Sequence, residues 1–177
     1  MVFHPFKIAG VSPRETMAEA KPTFWVIQDT REQTPWVFTP HSWCAGSRPG
    51  TVATGDYALD GLGHLVAIER KRNTAELAGN FFEDRFEREL GRMRAIAHPY
   101  VVVESPWRRL DEFPENSGIP QSKRRRLRVT PALLHKRFAE LTLAHPTVQW
   151  VFCETPEKAQ AFARGLFKRV LERYGHI

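Results

Sequence analysis

Cysteine is nearly missing from this sequence. Cys44 and Cys153 are its only two, far apart, and neither has a Cys or His at zinc spacing. A disulfide framework and a structural zinc are therefore not indicated. No stretch approaches the roughly 18 apolar residues of a membrane span. The N-terminus lacks the apolar core of a secretory signal. These absences place the expected location in the cytoplasm, with no membrane partner. No internal repeat is evident.

What is present suits a folded domain. The chain has 177 residues, 42% of them apolar and 11% aromatic, enough for one domain with a real core. Net charge is +6 and the isoelectric point is near 9.7. Such a balance favours an anionic partner, with nucleic acid the first candidate, although charge alone fits a basic soluble protein equally well.

One stretch carries the densest chemistry. Val66-Ala67-Ile68 is an apolar run suited to a buried strand, and Glu69, Arg70 and Lys71 follow it directly. In a strand, Glu69 and Lys71 point to one face and Arg70 to the other. Upstream, Gly55-Asp56-Tyr57 opens a short strand that runs into the turn Asp60-Gly61-Leu62-Gly63. A hairpin would bring Asp56 toward Glu69. Two carboxylates and a lysine at a sheet end suit a hard divalent cation and an activated water. Taken alone, Glu69 and Lys71 read first as a solvated same-face ion pair at a strand edge, and it is the Gly55-Asp56-Tyr57 stretch that strengthens the reading as a site.

The remaining elements follow in order. Residues 1–22 have no clear period and read as a tail or arm, with the folded domain over 23–177. Phe24 to Ile27 reads as a buried strand delivering Asp29, Thr30, Arg31 and Glu32. Trp36 to Gly50, rich in Pro, Gly, Ser and aromatics, reads as an irregular connection. Asn73 with Glu76 three residues on marks a helix start. Leu77, Phe81, Phe82, Phe86, Leu90, Met93 and Ala97 give its core stripe, with a break at Gly79-Asn80 and a stop at Pro99. Arg85 lies near that break. Tyr100 to Val103 is a buried strand ending in Glu104.

Residues 107–130 are irregular and carry Lys123, Arg124, Arg125, Arg126 and Arg128. A basic run in a loop can grip phosphates without reading sequence, or be a solvated loop. Thr130-Pro131 starts a helix with Leu133, Leu134, Phe138, Leu141 and Leu143 along one stripe. Val148 to Phe152 is a strand, and Thr155-Pro156-Glu157 starts the last helix. Strands alternating with helices predict an α/β domain, a central mixed sheet flanked by helices.

With these residues in hand, the chain resembles the nuclease domain of the XPF-type structure-specific endonucleases, of the restriction-endonuclease-like superfamily. Asp29-Thr30-Arg31-Glu32 matches the family's Asp-x-Arg-Glu strand end. Gly55-Asp56-Tyr57 and Glu69-Arg70-Lys71 match its next two motifs, and the likeness runs from about Phe24 to the C-terminus. The resemblance implies a restriction-endonuclease-like core and Mg2+-dependent hydrolysis of DNA, with Mn2+ as the alternative. It implies Asp56 and Glu69 as metal ligands and Lys71 as the residue placing the attacking water. Asp29 borders that site, and Arg31, Glu32 and Arg70 are supporting or phosphate-facing. Arg85 and the basic run at 123–128 are the expected DNA contacts.

Branched or junction DNA is the implied substrate. A homodimer or a partner subunit is the implied assembly, with Phe162, Leu166 and Phe167 of the last helix as its surface. Where the family has Asp four residues after the motif lysine, this chain has Ala75, with Glu76 adjacent. With no helicase and no tandem helix-hairpin-helix module in the sequence, a stand-alone domain of phage or prophage type, or one subunit of an assembly, is expected. Two other readings compete: a catalytically silent DNA-binding or scaffolding subunit, and a sequence-specific restriction-type enzyme. If the basic run grips DNA, changing Lys123, Arg124, Arg125 and Arg126 together to Ala will weaken binding. The log–log salt slope will become shallower by about 3–4, and an unchanged isotherm across a salt series rejects that role.

Overall fold

A computed structural model describes residues 23–177 of the chain, and the arm expected at residues 1–22 lies outside them. Six strands form one mixed sheet: β1 (Phe24–Asp29), β2 (Cys44–Gly50), β3 (Tyr57–Leu59), β4 (Val66–Lys71), β5 (His98–Val103) and β6 (Gln149–Phe152). Their spatial order is β2-β1-β3-β4-β5-β6. The hairpin is as expected: β3 runs antiparallel to both β1 and β4, while β4, β5 and β6 are mutually parallel. Burial on both faces explains why β4 and the Val101-Val102-Val103 run of β5 are almost continuously apolar until the charged end of β4.

Five helices flank the sheet: α1 (Thr74–Asn80), α2 (Asp84–Met93), α3 (Gln121–Arg124), α4 (Pro131–Ala144) and α5 (Pro156–Arg173). Side-chain caps start three of them. Asn73 accepts the Glu76 N–H at 2.9 Å, Thr130 that of Leu133 at 3.2 Å and Thr155 that of Lys158 at 3.3 Å. One core lies under α5, where Ala163, Phe167 and Leu171 meet Val26, Tyr57, Ile68 and Val102. The other lies under α1, α2 and α4, where Leu77, Phe86, Leu90 and Leu134 meet Val101 and Val103. The architecture is the expected α/β sheet with flanking helices. Among the described residues, no helix is long and apolar enough to cross a membrane.

Several local expectations do not hold. Part of the stretch expected to be irregular, Cys44–Gly50, is an edge strand parallel to β1. Its poor strand formers are tolerated because Pro49 sits at a sheet edge and the side chains of Trp25 and Ile27 lie over Gly46 and Gly50. Helix α2 ends at Met93, so Ala97 is exposed and Pro99 lies inside β5 rather than stopping a helix. Phe82 falls in the link between α1 and α2, off the stripe, and is exposed. On α4 only Leu134 and Leu141 are fully buried, and Leu133 and Leu143 face outward. Phe167 is fully buried against Phe38, because it continues the Ala159–Ala163 row at i+4 spacing. It is core and not part of any partner-facing surface.

His145, at the C-terminal end of α4, is buried, and neither ring nitrogen has a partner among the described residues. Burial holds its pKa below the ordinary 6.5, with Arg94 and Arg137 adding to the effect and Glu87 opposing it. Above 6.5 the ring is neutral folded and unfolded. As pH falls through 6.5 the unfolded chain takes a proton that the folded site resists, so stability is lost on the acid side. His145→Leu should flatten the fall in Tm between about pH 7 and about pH 5, by about 2–4 °C, in paired thermal melts. Parallel curves for the two proteins would contradict this.

Candidate active site

The charged end of β4 is divided by strand alternation. Glu69 and Lys71 face α2: Lys71 Nζ donates to Glu69 Oε1 at 2.6 Å and sits 4.7 Å from the centre of the Phe86 ring. Both side chains are buried. Arg70 points to the opposite face. Its Nε and Nη2 make a forked pair with Glu104 at 2.8 and 3.1 Å. Its Nη1 donates to the Thr34 carbonyl at 2.5 Å and lies 3.5 Å from Glu32. The guanidinium stacks over Trp36, whose Nε1 donates to Glu104 at 2.6 Å.

Asp56 is brought in by backbone bonds. Its N–H donates to the Ile68 carbonyl at 2.7 Å, its carbonyl accepts the Asp29 N–H at 2.8 Å, and its Oδ2 accepts the Arg70 N–H at 2.7 Å. The preceding Gly55 is required there. Its φ is +81°, and a Cβ would lie 2.9 Å from the Ile68 carbonyl oxygen. Asp29 itself is buried and holds the exposed Arg31 through bonds of 2.7 and 3.1 Å. That partner keeps the Asp29 carboxyl below the ordinary range.

These groups meet in a cleft of about 250 Å3. Asp56, Glu69 and Lys71 form its charged interior. Arg31, Arg72 and Arg85 supply positive charge around it, and Glu32 and Glu76 also line it. Burial, and then the charge of Glu69, push the Asp56 pKa up to about 8. Burial raises that of Glu69 too, with Glu89 adding to the rise and Lys71 opposing it. Two carboxylates that resist ionising side by side are a pair a cation would relieve.

The donor set fits such an ion. Asp56 and Glu69 each have one oxygen engaged and a second to offer, and Mg2+ commonly takes one or two carboxylates while keeping several waters. Among the described residues, no group of three or more Asp, Glu, His or Cys side chains stands ready for a metal. Glu76, next to Ala75, lines the cleft with its Oε2 accepting from the N–H and Nε of Arg72.

The basic run lies elsewhere. None of Lys123, Arg124, Arg125, Arg126 and Arg128 lines the cleft. Arg124 is tied to Glu115 and to the Ile119 carbonyl, while the other four are exposed. Two residues that sequence reading passed over belong to the site. Arg72 is the next residue after the charged triplet. Glu89 is buried, accepts the Gly55 N–H at 3.2 Å and pairs with Arg85 and Arg92. Its signal was a carboxylate inside the apolar row Phe86, Leu90, Met93, where a solvated residue does not belong.

No family model and no curated protein matches the sequence. Solved structures do share the fold. XPF from Aeropyrum pernix is 19% identical over 80% of this chain and 63% of that one, with a TM-score of 0.54. XPF from Aeropyrum pernix in complex with DNA is 18% identical over 85% and 66%, with a TM-score of 0.57. The chain thus spans a little under two thirds of each, and the likeness is one of fold: an XPF-like nuclease fold.

The buried Arg70–Glu104 pair makes a sharp prediction. Arg70→Met should cost about 3–5 kcal/mol, since Glu104 is left buried and uncompensated. Adding Glu104→Leu should recover most of that loss. Denaturant unfolding of both proteins checks it, and equal losses in the single and double variants would show that the pair is not the source.

Proposed function

We propose that this chain is a metal-dependent DNA endonuclease, cutting at branched DNA or at junctions between duplex and single strand, in repair, recombination or replication. The carrying observation is the juxtaposition of half-buried Asp56 and buried Glu69, two carboxylates that disfavour ionising together, with Lys71 fixed 2.6 Å from Glu69 inside a cleft ringed by arginines. The shared fold with a protein solved in complex with DNA supports the same reading.

Asp56 and Glu69 would hold Mg2+, or Mn2+ as the alternative. When bound, such an ion lowers the pKa of a coordinated water and neutralises charge on a phosphate oxygen. The chain supplies the rest. Lys71 is pinned between Glu69 and the Phe86 ring, so its ammonium faces the carboxylates, where it orients the attacking water and stabilises negative charge developing on the phosphate. Arg31, held by Asp29, and Arg72, held by Glu76, present guanidiniums to phosphate oxygens, and Arg85 does so from α2. Arg70, Glu32 and Glu104 support the site from behind. Water loses a proton as it attacks phosphorus, the strand's P–O bond breaks, and the leaving oxygen takes up a proton, so one end carries the phosphate and the other a hydroxyl.

Exposed cations at Lys123, Arg125, Arg126 and Arg128 would bind DNA away from the cleft. A homodimer or partner subunit would complete the assembly. The test is cleavage of labelled flap, fork, single-stranded and duplex DNA with Mg2+ or Mn2+, then with chelator. Wild type should cut in a metal-dependent way and prefer the flap or fork over duplex. Asp56→Ala and Lys71→Ala should lower the rate roughly a hundredfold or more. Binding without cutting would instead support a silent DNA-binding subunit, a reading favoured by Ala75.

A further inference from the structure

A second pocket, of about 350 Å3, adjoins the carboxylate cleft along the same strands. Ile27 and Ala58 are neighbours across β1 and β3 and line it together. The loop 51–54 forms one wall, and Gly63, His64 and Ile96 form the other. Ile27 is two residues from Asp29, and Ala58 is two residues from Asp56. In extended chain that is about 7 Å, so cleft and pocket are consecutive positions along one path.

Two features describe the ligand. No Lys or Arg lines the pocket, and its one carboxylate, Asp60, is paired with Arg48 at 2.6 Å. It is therefore not a phosphate site, in contrast to the arginine-ringed cleft. Thr54, which also lines the pocket, is 95% buried (relative exposure 5%), and its hydroxyl has no partner among the described residues. A buried hydroxyl without a partner is costly, and a ligand carrying hydrogen-bonding groups on an apolar plane would supply one.

Building on the nuclease reading, we propose that this pocket is a nucleobase subsite. It takes one base of the strand whose phosphate occupies the cleft, turned out of its stack, with the apolar sheet surface against the base plane and the Thr54 hydroxyl bonded to its edge. Turning a base out is least costly where the strand is already unpaired. The pocket therefore accounts for a preference for junctions over intact duplex without any reading of sequence.

Two substitutions probe it without touching the carboxylates, Lys71 or the arginines. Gly63 is not at positive φ, and a Cβ there would meet only the Ala58 Cβ at 3.7 Å, so Gly63→Leu fills the pocket at little strain. Thr54→Val removes the hydroxyl at constant shape, and it should leave Tm unchanged or raised. The experiment scans an abasic site through a flap substrate, one position at a time around the cut. Loss of about tenfold in kcat/KM at a single position is expected. Gly63→Leu should show that loss on intact DNA and no further loss on the abasic strand, and Thr54→Val should lie between.

If wild type cuts and neither the scan nor either variant changes the rate, the subsite is overturned while the nuclease reading stands. If wild type cuts nothing, NMR titration with thymidine monophosphate decides separately. Saturable shifts at Thr54 and Ala58, abolished by Gly63→Leu, keep the subsite without the nuclease, and no shifts overturn it.

Discussion

The buried contact between Arg70 and Glu104 is the constraint on which the site depends. Arg70 is the penultimate residue of β4 and Glu104 follows β5, so the forked pair locks the ends of two parallel central strands. Through the Thr34 carbonyl, Glu32 and Trp36, the same guanidinium fixes the loop leaving β1. Trp36 in turn stacks on Tyr57 at 4.7 Å, and its N–H donates to the Tyr57 hydroxyl at 2.8 Å. Three strand ends are thereby held in register by one cation. Burying a charge is costly unless every hydrogen-bonding direction is used, and here Arg70 is met by two carboxylates, a carbonyl and an indole face.

That clamp allows the other face of β4 to hold charges that resist each other. Asp56 and Glu69 both carry raised pKa values because burial removes water from them and Glu69 adds to the strain on Asp56. Free side chains would separate. They stay together because Asp56 is held by three backbone bonds, and because Glu89 anchors Gly55 from α2. The strand ends held by the clamp thus keep the two carboxylates beside Lys71. A carboxylate pair that resists ionising, arginines around the rim and a locked ammonium are the groups on which the proposed hydrolysis of a phosphodiester rests.

The neighbouring pocket differs in character from the cleft, though the same strands build both. Side chains ringing the cleft are charged, while those around Ile27 and Ala58 are mostly small or apolar. The difference comes from which elements cover the sheet. Helices α1, α2 and α4 pack over β5 and β6, so the loop 51–54 and the β3–β4 turn are left to wall the space beside β1 and β3.

Much of this was legible in the residues themselves. Continuous apolar runs marked β1, β4 and β5, the caps Asn73, Thr130 and Thr155 marked three helices, and Asp60–Gly63 marked the hairpin that sets Asp56 beside β4. These are local signals: period, capping chemistry and turn residues act over a few positions. Alternation also divided Glu69 and Lys71 from Arg70 before any contact was known. Strand β2 was not legible, because Gly46, Pro49 and Gly50 make a strand only when β1 lies beside them with Trp25 and Ile27 over the gaps. Nor were the end of α2 at Met93, the partner of Arg70, or the burial of Glu89 and Phe167. Each depends on groups distant in the chain, and only packing decides which distant groups meet. Sequence determined which chemistries stood at the ends of the strands and that a hairpin would bring Asp56 toward Glu69, and tertiary structure alone decided that Arg70 became a strut and that burial raised the proton affinity of both carboxylates.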